Sequence, residues 1–162
     1  MTSSTLKVTT PTDREIVMTR VFDAPRTLVF EALTKPALLK RWFLGPPGWT
    51  LAVCEIDLRV RGAYRYVWRG EKGEMGMGGI FQEIAPPERI VATEAFDQGW
   101  YPGNNALVTQ ALTERSGKTT LTLSVMYESK DARDAVLRSP MESGVAAAYD
   151  RLAELLATQN AR

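Results

Sequence analysis

With no histidine and one cysteine in 162 residues, any chemistry this chain performs falls to carboxylates, tyrosines or Lys/Arg side chains. The missing histidines remove His triads, His acid–base pairs and His zinc sites. The lone Cys54 removes an intramolecular disulfide and any multi-cysteine metal site. Two carboxylates stand out by their surroundings. Glu83 and Glu94 lie in neighbouring strand-like runs, among apolar residues that alternate with a period of two. A carboxyl turned onto such an apolar face has its pKa raised, and it becomes a candidate general acid or base or a polar anchor for a ligand. The bland alternatives are a solvent-facing rim or bulge, or an ion pair with Arg65 or Arg69.

Aromatic residues surround these two positions in the same alternation. Tyr64, Tyr66 and Trp68 share one side of a strand; Met77, Phe81 and Glu83 share a side of the next; Ile90, Ala92, Glu94 and Phe96 share a side of the one after. As a pocket lining, the rings supply area and the hydroxyls orientation. As a core, they simply pack. Pairing Gln82 with Val91 across a turn at Pro86-Pro87 sets Glu94 opposite Gly79, whose missing side chain leaves room for a ligand group. Trp42 and Phe43 plug one end of the sheet or gate the pocket. Trp100 and Tyr101, followed by Pro102-Gly103-Asn104, form a pocket mouth or fold back on the sheet edge. Asp57 and Arg59, one alternation apart, hold an anion or tie down a loop. Cys54 reads as a small buried hydrophobe, and Gly76-Met-Gly78-Gly79 as a bulge or bend rather than a phosphate cradle.

The elements that must position these residues follow from turn chemistry and periodicity. Arg14–Phe22 reads as a strand with an irregularity near its end. Asp23-Ala-Pro25 stops it, and two short helices follow, separated by Thr34-Lys-Pro36. Strands are expected at about 50–59, 63–69, 76–84, 89–96, 105–114 and 119–127, joined by short Gly/Pro turns, so that sequence neighbours pair antiparallel. A short helix at about 131–138 leads into the clearest element. Ser139-Pro140-Met141-Glu142 is a capping box with proline at the first helical position. Met141, Val145, Ala148, Leu152 and Leu155 then mark one apolar stripe, with Tyr149 and Leu156 beside it. This order predicts an α+β fold: a curved antiparallel sheet of about seven strands wrapped around the terminal helix, imperfectly enough to leave a cavity. Residues 1–13, rich in Ser, Thr and Pro, read as a disordered lead, and 14–158 as one domain.

In this order and spacing, several segments together resemble the START-like, helix-grip (SRPBCC) superfamily, in the branch named after the activator of the heat-shock protein 90 ATPase. They are Arg20-Val-Phe-Asp-Ala-Pro25, Leu33-Thr-Lys-Pro36, Arg41-Trp42-Phe43, Glu55-Ile-Asp57-Leu-Arg59 with Gly62-Ala-Tyr64-Arg-Tyr66, Gly79 to Val91, Thr119 to Val125, and Asp150-Arg151-Leu152. The resemblance spans about Arg14 to Ala157. It implies the helix-grip fold and a cavity for apolar or aromatic small molecules, but no shared catalytic residues. Relatives usually carry Pro-Gly-Gly where this chain reads Val60-Arg61-Gly62, and many carry an aromatic or apolar residue at the position of Glu94.

The expectation is therefore a binder of a hydrophobic or aromatic small molecule. Its lining comprises Trp42, Tyr64, Tyr66, Trp68, Phe81, Glu94, Phe96, Trp100, Met141, Val145 and Tyr149. Two other readings are a cyclase-like or hydrolytic enzyme using Glu94 or Glu83, and a chaperone-activating or stress-response module with an outer patch around Arg59, Arg61 and Arg65. No metal or cofactor is expected. Twenty Lys+Arg against nineteen Asp+Glu show no basic footprint for nucleic acid. No apolar run reaches the ~20 residues of a membrane span, and the N-terminus lacks the pattern of a secretory signal. The default compartment is the cytoplasm. A homodimer through a sheet edge is possible.

Overall fold

Alternating residues make strands here because each strand has one face to bury. In the computed structural model, which describes residues 5–160, those strands form a single eight-stranded antiparallel sheet. The strands are β1 (Lys7–Thr9), β2 (Glu15–Phe22), β3 (Thr50–Ile56), β4 (Ala63–Gly70), β5 (Gly73–Ala85), β6 (Arg89–Phe96), β7 (Ala106–Arg115) and β8 (Lys118–Tyr127). The helices are α1 (Arg26–Thr34), α2 (Pro36–Trp42), α3 (Lys130–Leu137) and α4 (Met141–Asn160). The sheet order is β1-β2-β8-β7-β6-β5-β4-β3. Strands β3 to β8 run as a meander, and β2 joins β8 on the far side. The chain between β2 and β3 therefore crosses from one side of the sheet to the other edge, carrying α1 and α2 with it.

The count is eight rather than seven because Lys7–Thr9, within the segment expected to be disordered, pairs with Val17–Thr19 of β2. Its short polar run carries little periodicity, and the pairing is supplied by the open edge of β2. The first four residues of that expected lead lie outside the described residues. Nor is β2 irregular. It pairs with β8 without a break from Glu15–Met126 to Phe22–Thr119, and its inward row is Ile16, Met18, Arg20 and Phe22, all at most 5% exposed. A buried arginine in an apolar row disguised the alternation. Arg20 is held there by Asp150 of α4 at 2.6 Å and lies over the ring of Phe22.

The stripe on α4 is buried along its second half, where Ala148, Tyr149, Leu152, Leu155 and Leu156 pack on the sheet and on α1 and α2. Its first half is different: Met141 and Val145 are only half-buried. The Ser139 hydroxyl accepts from the Met141 N–H at 3.3 Å, as a cap should. The reciprocal half of the capping box is not made, because the Ser139 N–H donates to the Val136 carbonyl instead. The interior thus divides into two packed clusters. One lies under α1, α2 and the end of α4; the other, under α3, contains Ile16, Met18, Tyr101, Val125, Tyr127 and Val136. Phe96 and Val145 touch both.

Candidate functional site

Between the two clusters, under the first half of α4, the sheet and helix fail to meet. A cavity of about 1420 Å³ opens there, its volume including a mouth that reaches outer residues such as Arg65 and Glu74. The physical cause is visible in α4, which offers Gly144, Ala147 and Ala148 to this space. Side chains that small cannot fill the concavity of a bent sheet. The lining is mainly apolar and aromatic, the composition of small-molecule sites, though the volume exceeds their usual range.

The wall over β4 is a chain of rings. Tyr64 contacts Phe81 and Tyr66; Tyr66 and Trp68 each contact Phe43; and Phe43 contacts Trp42, which meets Tyr149 of α4, all with centroids 5.1–6.1 Å apart. Polar handles fix several of these rings. The Trp42 indole N–H donates to the Ala32 carbonyl, that of Trp68 to the Phe43 carbonyl, and the Tyr64 hydroxyl to the Thr93 carbonyl. Trp42 is 3% exposed and anchored, which makes it a plug rather than a gate. The opposite wall is a second ring cluster, in which Phe96 contacts Trp100 and Tyr101, and Tyr101 contacts Tyr127. The loop after β6 divides its two aromatics. Trp100 stays 43% exposed at the mouth, whereas Tyr101 folds in to 5%. Asn104 pins this loop by bonding both the N–H and the carbonyl of Phe96.

All eleven residues expected to line a pocket do line this cavity. The two carboxylates part company. Glu83 is exposed and ion-paired with Arg89 at 3.2 Å. The reason is a bulge at Gln82: Phe81 pairs with Ala92, but Glu83 rather than Gln82 pairs with Val91, so the side chains beyond the bulge change face. Below the bulge the expected register holds, with Gly78 opposite Ala95, which brackets Glu94 against Gly79. The space at Gly79 is not left for a ligand, however. A Cβ there would collide with the Thr93 carbonyl, so the glycine serves close strand approach.

Glu94 faces the cavity. Its carboxylate has no hydrogen bond or ion pair with any described residue, because Arg65 is committed to Asp97 and Arg69 to Glu74. Burial pushes its pKa up to about 7. Burial also raises the pKa of Tyr64, Tyr66, Tyr101 and Tyr127, and the charge of Glu94 adds to each shift. The Tyr101 hydroxyl is buried without a partner.

Other candidates resolve away from the cavity. Asp57 and Arg59 lie beyond the end of β3 and pair with each other at 2.8 Å, tying down a loop rather than sharing a strand face. Within that loop, Arg61 adopts a left-handed φ of 73°. The outer arginine patch is largely neutralised, Arg59 by Asp57 and Arg65 by Asp97. Burial raises the Cys54 thiol to about 11, so it stays protonated and a poor nucleophile. Among the lining residues not anticipated are Leu33, Val125 and Tyr127. The last two continue the alternation of Leu121 and Leu123 along β8, an interior strand between β7 and β2.

No described helix is long and apolar enough to cross a membrane. Among the described residues no cluster of acidic or cysteine side chains is arranged to hold a metal. A family model described as "Activator of Hsp90 ATPase homolog 1-like protein" matches residues 23–157. Comparison with curated proteins gives no match. Among solved structures, a Rhodobacter sphaeroides protein is 32% identical, covering 95% of this chain and 99% of its own, with a TM-score of 0.89. A Chromobacterium violaceum protein is 29% identical over 88% of this chain and 96% of its own, with a TM-score of 0.70. A Nitrosomonas europaea protein at 24% identity, covering 94% of this chain and all of its own at a TM-score of 0.81, shares the fold.

Proposed function

The chain belongs to the family of Activator of Hsp90 ATPase homolog 1-like proteins, and from that premise we propose that it binds a hydrophobic or aromatic small molecule between its sheet and α4. One observation carries the reading: an aromatic-lined cavity of about 1420 Å³, several times the ~300 Å³ that a drug-sized ligand needs at minimum. We place this binding domain, which takes in β1 as well as the residues from 14 onward, in the cytoplasm, which its single unpaired cysteine suits. The alternative of a chaperone-activating module draws on the family description. It calls for a filled interior and a conspicuous outer patch, and the open cavity and the paired Arg59 and Arg65 weigh against it.

Native mass spectrometry of freshly purified protein tests the binding reading. A retained small molecule, released on denaturation, is the expected result. No retained mass, together with no thermal shift from any flavonoid, fatty acid or aromatic polyketide, would refute it. Acid–base catalysis at Glu94 is a second reading, favoured by a carboxyl that changes protonation near neutral pH beside open volume. It predicts that a bound ligand is recovered with altered mass, and that Glu94→Gln returns it unaltered.

A further inference from the structure

We infer that the cavity selects ligands carrying a protonated amine on an aromatic body, with the ammonium seated on Glu94. The inference rests on the binding reading above and names the chemical class of the guest.

The argument begins with what the protein leaves undone. A carboxylate taken from bulk water and given no partner is costly, and side chains in such positions are normally paired. Glu94 has no pair among the described residues, yet it lines a space large enough to bring one in. The basic side chains at the same cavity are all engaged elsewhere. Arg65 and Arg69 hold Asp97 and Glu74, and Arg151 donates to the carbonyls of Trp42 and Gly45. Among the described residues no cation is free to pair with Glu94, so one can come only from a guest.

The groups facing Glu94 suit a cation as well. Tyr64 and Tyr66 on β4, Tyr101 in the loop after β6 and Tyr127 on β8 feel its charge, and burial keeps all four phenols neutral. To the same cavity β5 brings Met77, β7 brings Val108 and Gln110, and α4 brings Met141 and Val145. None of these is basic. The Tyr101 hydroxyl lies buried behind this wall without a partner, and does not itself line the cavity. Neutral phenols and ring faces attract an ammonium through oxygen lone pairs and cation–π contact. A carboxylate guest would instead meet a like charge whenever Glu94 is ionised. A neutral alcohol donates one hydrogen bond to the carboxylate without cancelling its charge, whereas an ammonium both donates to it and neutralises it.

The test is calorimetric titration with three matched probes: naphthylmethylamine, naphthylmethanol and naphthoic acid. At about pH 8, where Glu94 is ionised, the amine should bind at least tenfold tighter than the alcohol, and the acid weakest. At about pH 5.5, where Glu94 is protonated and the amine still charged, that preference should fall about tenfold or more. In Glu94→Gln the amine-to-alcohol ratio should collapse towards one at both pH values. Should that variant fold poorly, the pH dependence of the unaltered protein decides alone. An alcohol or acid that binds as tightly as the amine at pH 8 overturns this inference while leaving the binding reading intact. So does a preference that survives in Glu94→Gln. Failure of all three probes to bind overturns both.

Discussion

A single half-buried carboxyl turned into the cavity makes the folded chain sensitive to pH in a direction that can be stated in advance. Glu94 titrates at about 7 in the folded protein against an ordinary value of 4.5. Between those values the unfolded chain has lost the proton that the folded chain keeps, so folding takes up a proton. The stability contributed by this group is whole below about 4.5, falls as pH rises, and is gone above about 7. At ~1.4 kcal/mol per pKa unit the loss amounts to about 3 kcal/mol. Urea unfolding followed from pH 5 to pH 8 should show it, and Glu94→Gln should flatten that slope and be the more stable protein at pH 8. A slope unchanged by the substitution would assign the pH dependence to other groups. Gly79 gives a second expectation at this scale. Gly79→Ala drives a methyl into the Thr93 carbonyl, and should lower the free energy of unfolding by far more than the few tenths of a kcal/mol typical of surface changes.

The elements explain why packing and emptiness coexist on one helix. The second half of α4 is a core element. Leu152 is fully buried, and Leu152→Ala should cost about 2–5 kcal/mol in denaturant unfolding. Its first half borders the cavity, where Met141 is only half-buried at the margin of the second cluster. Met141→Ala should therefore cost less than Leu152→Ala and act chiefly on ligand affinity. Equal costs at the two positions would mean that the helix is packed along its whole length. The bulge at Gln82 acts on the same scale. By turning Glu83 out to Arg89 while leaving Phe81 inward, it leaves Glu94 as the one carboxylate among the described lining residues without an ion pair, since Glu74 and Asp97 at the mouth are held by Arg69 and Arg65.

For the whole molecule, a cavity between two packed clusters means that a guest stabilises the fold by mass action. Ligand at a hundred times its dissociation constant adds about 2.7 kcal/mol, a rise of roughly 5–10 °C in the melting temperature of a chain this size. Val145→Trp, placing a large ring into the cavity from the residue that bridges both clusters, should reduce that shift to near zero for a ligand that raises the melting temperature of the parent. A full shift retained in that variant would place the guest outside the cavity.

Most of the architecture was legible without coordinates, because local chemistry dictates it. Period-two runs between Gly/Pro turns define β3 to β8, Pro25 and Pro36 start the short helices, and the stripe from Met141 to Leu156 defines α4. The lining was legible for a related reason: once a sheet face is buried, alternation along each strand assigns its side chains. Three matters waited on tertiary structure. Strand β1 exists because β2 has an open edge, Arg20 sits in an apolar row because Asp150 meets it from α4, and β8 is an interior strand because β2 pairs with it on the side away from β7. Between Glu83 and Glu94, nothing in local sequence chose. A one-residue bulge reverses every side chain beyond it, and whether a carboxylate finds a partner depends on where distant arginines are already held.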